Sequence, residues 1–415
     1  MIGLVVTLLF FPLAGWSLGH RSLGEAFLFG AGITGAVLFI AGVVHLPLII
    51  AFALISAWGV GSAAWEIKRH PVRLPALHSP LPTILMTIPL LALTFAAAIT
   101  PLNDFDGRAF WVLKAKGIAH ERSIDGPFFH GGTLDPRNQY PILIPLDGAV
   151  ILSIADDLDD RQLRWLYVAL LAALALLVRE RIGRLISPSA GAWCAAILVW
   201  IPQFAVAPEG GALSAYNDIA IAAFAAGAFF ELIEAQNPRM FGLWLAFLVL
   251  TKSEGLPFAI VFLLIGAFVF RKRINTPAVI AAIATAALLI WRMRIPSGDE
   301  EDVFRLLPTI PEKLHRIGVA MAAFPRHMLL LPRWGILWIA VILAAIIAAR
   351  VHRAARLAIS VIVAMLAIYT AVYVTTAWVP SELIAVTADR LLMHVIAPSL
   401  FLLALTTRAG NKLSS

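Results

Sequence analysis

Residues 279–290 and 391–405 contain no Asp, Glu, Lys or Arg. Both runs sit in stretches close to the roughly 20 residues that a helix needs to cross about 30 Å of hydrocarbon. Hydrophobic residues make up 60% of the 415-residue chain and charged residues 14%, against about 25% charged in soluble domains. A soluble protein so apolar lacks the polar side chains to cover its own surface, and lipid removes that need. The expected fold class is an all-α integral membrane protein. The net charge of +7 has a simple source in basic residues at cytoplasmic helix ends, so no nucleic-acid partner is expected. The single Cys194 excludes an internal disulfide and a cysteine-based metal site. Residues 1–19 are apolar, lack a basic start and precede further spans, which predicts a retained first helix in place of a cleaved signal.

About thirteen transmembrane helices are expected, with cores near 1–19, 24–44, 45–65, 81–100, 163–179, 189–206, 218–235, 240–251, 256–270, 277–293, 335–349, 357–378 and 391–407. Lys and Arg collect in alternate connections: Arg21, Lys68 to Arg73, Arg179 to Arg184, Arg239, Arg271 to Arg273, Arg350 to Arg356, and the tail with Arg408 and Lys412. Thirteen crossings place all of these on one side, and their charge makes that side the cytoplasm. The expectation is a multi-pass cell-membrane protein with its N-terminus outside and its C-terminus in the cytoplasm. Segments 240–251 and 256–270 are short for full spans. They read as a hairpin tipped by Thr251-Lys252-Ser253-Glu254-Gly255. Charge at such depth is costly unless it faces a polar cavity or a ligand; the plainer alternative is that Lys252 and Glu254 only pair with each other.

The chain divides into about three accessory spans in 1–80, a membrane module over 81–407 and a cytoplasmic tail at 408–415. Two long outer loops, 101–160 and 296–333, belong to the module. The first contains Asp104, Asp106 and eight more of the chain's 25 acids, together with Trp111, Phe128 and Tyr140. Loops of this length are usually functional or disordered, and the aromatics argue against disorder. Residues 106–119 read as an amphipathic juxtamembrane helix with Phe110, Leu113 and Gly117 on one stripe and Lys114 beside it. Asp104 or Asp106 then caps its start, which accounts for one of the two acids. Tyr140-Pro141 opens a second apolar helix ending near Ile154, and the second outer loop reads as one or two helices lying on the surface.

Transfer of a sugar outside a membrane needs a lipid-linked donor, because nucleotide sugars stay in the cytoplasm. It needs a carboxylate to take the acceptor hydroxyl's proton and cations on the leaving phosphate. Asp104, Asp106 and Asp218 are outer carboxylates near span ends. Lys252, Arg390 and Lys114 are cations that topology does not explain. A transporter or flippase of a lipid-linked or small polar substrate is the main alternative, and it wants ionisable residues in mid-span. A surface-polysaccharide polymerase or ligase is a second, kept open by Arg326, His327 and Arg333.

Four motifs carry a family resemblance. Asp106, Trp111 and Lys114-Ala115, followed by Tyr140-Pro141-Ile142-Leu143-Ile144-Pro145, resemble the first outer loop of bacterial GT-C-type glycosyltransferases. Tyr216-Asn217-Asp218 resembles their second acidic position, Thr251-Lys252-Ser253-Glu254-Gly255 their Thr-Lys-x-Glu-Gly hairpin, and Asp389-Arg390-Leu391-Leu392-Met393-His394 the motif opening their last helix. The group is related to the protein mannosyltransferase and aminoarabinose transferase superfamily. The resemblance spans roughly 81–407, though three spans precede the first outer loop helix where about one is expected. It implies inverting hexosyl or pentosyl transfer from a polyprenyl-phosphate sugar, with the first-loop Asp as general base. The acceptor is a lipid-linked glycan, a polysaccharide or a protein of the cell envelope. Catalysis is then expected at Asp106, with Asp104 and Asp218. Lys252, Arg390, Lys114 and His394 are expected on the donor phosphate, and Trp111, Tyr140, Glu254 and Arg137 are expected to position substrate. Two arrangements stay open: a magnesium or manganese ion shared by Asp104, Asp106 and Asp218, or a base working without metal.

Overall fold

The computed structural model describes residues 2–16, 22–69, 79–131, 137–296 and 310–413. These residues form helices and no strand. The longer helices are α1 (Ile2–Trp16), α2 (Leu23–Val43), α3 (Leu48–Arg69), α4 (Pro80–Ile99), α5 (Leu113–Glu121), α6 (Leu143–Ala155), α7 (Arg161–Leu185), α8 (Pro188–Trp200), α9 (Asp218–Glu234), α10 (Pro238–Thr251), α11 (Gly255–Phe270), α12 (Asn275–Arg292), α13 (Ile317–Met328), α14 (Leu337–Val351), α15 (Arg353–Thr375), α16 (Pro380–Met393) and α17 (Ile396–Leu413). Starts follow from local chemistry. Asn237 caps α10 by accepting from the amides of Arg239 and Met240, and Ser187 caps α8 through Ala190. Proline stands in the first turn of α4, α8, α10 and α16, where its missing N–H costs nothing.

All thirteen expected segments fall on helices. Among the described residues, four stretches are long and apolar enough to cross a membrane: Leu23–Val43, Pro80–Ile99, Gly255–Arg292 and Arg353–Thr375. Pro380–Met393 and Ile396–Thr407, bent by 51°, make a fifth if they form one span. Six further apolar helices run 10–17 residues, at or below the short end of a full crossing. The stretch Gly255–Arg292 is not one rod. Arg271 takes a left-handed φ of 49°, and a Cβ built on Gly266 would lie 3.3 Å from the Ile274 side chain. Eight residues along a straight helix are about 12 Å apart, so the chain turns back after Phe270 and α11 and α12 are separate.

Helices in lipid gain little from the hydrophobic effect and are held by close packing and polar contacts. α1 packs on α2, α2 on α7, α7 on α8, and α10 on both α9 and α12. A methyl group built on Gly30 of α2 would overlap the Phe11 carbonyl of α1, so this contact requires glycine. The ionic contact is at Arg181 of α7, counted in the sequence among the cytoplasmic charges. Its side chain is 6% exposed. It donates to Glu234 at 2.9 Å and to Glu231 at 2.8 Å, both on α9, and contacts Glu25 of α2. Three carboxylates from two helices thus close on one guanidinium. Arg181→Met is expected to leave them facing one another and to cost about 3–5 kcal/mol, read as a lower melting temperature in detergent. An unchanged melting temperature would show the cluster to be a bystander.

Asp218 begins α9 and Glu231 lies near its other end, about 20 Å away along the axis. Arg273, in the basic turn after α11, donates to the carbonyls of Ala235 and Gln236 at the Glu231 end. Two opposite ends of the bundle are therefore defined: one basic, held by Arg181, and one carrying Asp218.

Residues 310–333 of the second outer loop are described and contain α13, whose Val319 and Met321 are exposed apolar side chains. The acids Glu300, Glu301 and Asp302 lie outside the described residues.

Candidate functional site

At the Asp218 end, three chain reversals bring charge together. The first is the α10–α11 hairpin. Lys252 leaves α10 in an extended conformation, and a methyl on Gly255 would overlap the Leu248 carbonyl. This tight return points Lys252 inward, where its ammonium lies 2.9 Å from Asp218 Oδ1 and 3.1 Å from Glu254 Oε1. Lys252 and Glu254 therefore pair with each other but not only with each other, because Lys252 also reaches Asp218.

The second reversal is the bend between α16 and α17. Arg390, in the last turn of α16, sets its planar guanidinium between two carboxylates. Its Nε and Nη2 lie 3.1 and 3.0 Å from Asp218 Oδ2, and its Nη1 lies 3.0 Å from Asp106 Oδ2. The fixed fork of donors suits such bridging better than a single ammonium does. Asp218 is fully buried, and Lys252 and Arg390 expose only 4% and 8% of their side chains.

The third is the start of the first-loop helix. Residues 107–112 form a π-helical turn directly after Asp106, a geometry enriched at functional positions. A methyl on Gly107 would overlap the Ser214 carbonyl, so this turn presses against the loop before α9. Asp106 makes no side-chain cap, which corrects the capping expectation for it. Its carboxylate faces Arg390 on one side and Arg137, at 3.6 Å, on the other. It stays 22% exposed. Of the two carboxylates bridged by Arg390, only Asp106 is open to an incoming molecule.

Other expected residues divide between the cluster and its surroundings. His394 is fully buried behind Asp218, with Nε2 at 3.3 Å from Asp218 Oδ1 and Nδ1 against the Tyr369 hydroxyl. The structure thus places this expected phosphate-binding residue against Asp218, on its buried side. Lys114 is likewise buried and donates to the Arg137 carbonyl at 2.6 Å. Its ammonium lies 5.6 and 5.5 Å from the rings of Trp111 and Tyr140, within cation–π range. It therefore holds the Arg137 backbone. The Trp111 and Tyr140 rings lie 6.0 Å apart, and the buried Trp111 Nε1 has no hydrogen-bond partner among the described residues.

Asp104 lies on the Arg164 side. Burial raises its carboxyl pKa above the ordinary value, and a backbone hydrogen bond and then Arg164 pull it back only in part. A carboxyl raised in the folded state favours folding below its unfolded pKa and loses that contribution as pH rises through the folded value. Asp104→Asn is therefore expected to be neutral or mildly stabilising at neutral pH. It should flatten the stability–pH profile through the carboxylate range. Melting temperature against pH checks this, and a profile as steep as that of wild type would overturn it.

Among the described residues no group of three His, Cys, Asp or Glu side chains gathers as a metal site. Asp218 spends both oxygens on Lys252, Arg390 and His394. The shared-metal arrangement of Asp104, Asp106 and Asp218 does not fit this geometry, and the cations already stand where its charge would act.

Several site residues escaped the sequence. The Tyr216 hydroxyl accepts from the Asp106 amide at 3.3 Å, and Arg390 stacks 4.5 Å from its ring. Burial, with Asp106 nearby, pushes the pKa of that hydroxyl up, so it stays protonated. Arg292 at the end of α12 donates to the Gln139 carbonyl and to Ser253 Oγ, tying the first loop to the hairpin tip. The signal for Arg292 was available: it is a cation at the end of an apolar helix, as Lys252 is.

No protein-family model, no curated protein and no solved structure matches the chain. The resemblance therefore rests on the four motifs alone.

Proposed function

We propose that this chain is a membrane-embedded glycosyltransferase of GT-C type with thirteen crossings. It transfers a hexose or pentose from a polyprenyl-phosphate donor to an envelope acceptor on the non-cytoplasmic face, with inversion. The observation that carries this reading is the Arg390 bridge between a buried carboxylate, Asp218, and a partly exposed one, Asp106. Asp218 fixes Arg390 and Lys252 in place, so both cations are held ready before a ligand arrives. A donor phosphate competes with Asp106 for Arg390 Nη1. Its arrival frees the Asp106 carboxylate beside the anomeric carbon. The acceptor oxygen then attacks that carbon, its proton passes to Asp106, and the bond to phosphate breaks. Polyprenyl phosphate leaves with its new charge on Arg390 and Lys252.

One observation favours the transport reading. Asp147 of α6 is fully buried, and neither of its oxygens has a hydrogen-bond partner among the described residues. Isolated acids inside membrane proteins often mark ion or substrate paths. Proteoliposomes loaded with a sugar-labelled polyprenyl-phosphate hexose and an envelope lipid extract separate the two. Transfer releases polyprenyl phosphate in equal amount to labelled product. Movement of intact labelled donor between leaflets, with no polyprenyl phosphate released, would replace the transferase reading by the transport one.

A further inference from the structure

A cavity of about 550 Å³ lies between α13 and α16, within the roughly 300–1,000 Å³ of small-molecule sites. Its apolar wall is Val319, Ala323, Leu329, Ile384 and Ala385, and its polar lining is Arg326, His327 and Ser381. Val319 and Met321 on α13, and Leu329 and Leu331 just after it, are apolar and each more than half accessible. A helix with such a flank and basic residues at its end lies at a membrane interface. The Arg326 side chain is exposed and makes no hydrogen bond or ion pair among the described residues. An apolar trough with an unpaired guanidinium at its rim is complementary to a lipid with a phosphate head.

Two lipids carry that chemistry, the sugar donor and a membrane phospholipid. The cations assigned to the donor, Lys252 and Arg390, lie on the carboxylates of the main site. This trough has its own cation, so it takes a whole lipid, head and chains together. It also touches the main site through one residue. His327 Nδ1 lies 3.0 Å from Asp389 Oδ2, and the Trp334 indole donates to Asp389 Oδ1 at 2.8 Å. Asp389 directly precedes Arg390.

We propose that the α13–α16 trough is a binding site for an anionic glycerophospholipid, its phosphate on Arg326 and Ser381 and its chains along the apolar wall. A filled trough holds His327 against Asp389 and so steadies the turn that aims Arg390. This site stands apart from the transferase reading, because phospholipid binding requires no sugar chemistry.

Native mass spectrometry of the full chain in detergent tests it, with phosphatidylglycerol and phosphatidylcholine added in equal amounts. Wild type is expected to retain one phosphatidylglycerol with about a tenfold preference, the scale of one charge-assisted contact. Arg326→Ala should abolish the preference and Arg326→Lys should keep most of it. Ala385→Trp, which fills the trough from its open side, should lower retention of both lipids. A preference that survives Arg326→Ala overturns the proposal. So does one-for-one displacement of phosphatidylglycerol by added polyprenyl phosphate, which would assign the trough to the donor.

Discussion

Asp106→Asn is expected to lower sugar transfer by about 10²- to 10⁴-fold, the usual contribution of a positioned general base, while the protein keeps its fold. The fold should survive because Arg390 retains Asp218, with two contacts of 3.0 and 3.1 Å. Asp106 itself is 22% exposed, and an asparagine oxygen there can still accept from Arg390 Nη1, so the guanidinium keeps a partner on that side. The amide keeps the shape and a hydrogen-bond acceptor but cannot take a proton. Donor binding should hold or tighten slightly, because one negative charge near the phosphate is gone. The measurements are kcat and KM in proteoliposomes beside the melting temperature in detergent. An active Asp106→Asn, Asp104→Asn double variant would remove both first-loop acids from the mechanism.

Asp218→Ala should act in the opposite way, through the fold. It strands Lys252 and Arg390 at 4% and 8% side-chain exposure and leaves His394 facing a void. Breaking a buried pair by removing one partner costs about 3–5 kcal/mol. The expected result is a sharp fall in folded yield and melting temperature, with transfer lost as a consequence. Asp218→Asn, which keeps the volume and one acceptor oxygen, should fall between. A stable but inactive Asp218→Ala would place Asp218 in the chemistry and not beneath it.

The two acids thus differ in role, and spacing alone does not separate them. In the sequence Asp106 and Asp218 both read as outer carboxylates near span ends. Only the pairing of Asp218 with Lys252, Arg390 and His394 makes it a strut, and only the partial exposure of Asp106 makes it a candidate base. Lys114 and His394 illustrate the same limit. Each is a basic residue at the expected end of the molecule, yet each points into packed protein, one at a backbone carbonyl and the other at Asp218 and Tyr369.

Arg181 shows where charge counting misleads. In the chain it is one of several basic residues that set sidedness. In the fold it is the centre of an ionic core with Glu25 and Glu231, acids some 156 and 50 positions away. Sidedness rules count local charge, and they are blind to partners supplied by distant helices.

Much was legible in the sequence because it depends on short-range physics. Apolar runs free of charge, proline at helix starts and the Lys252–Glu254 break between two short segments determined the helices, the hairpin and the acid-rich loop. The convergence of Asp106, Asp218, Lys252 and Arg390 depends instead on how glycine contacts, the π-turn at 107–112 and the bend at the end of α16 stack the helices. Those contacts join residues up to 284 positions apart, and a distance of that kind is set by packing, which no local pattern encodes.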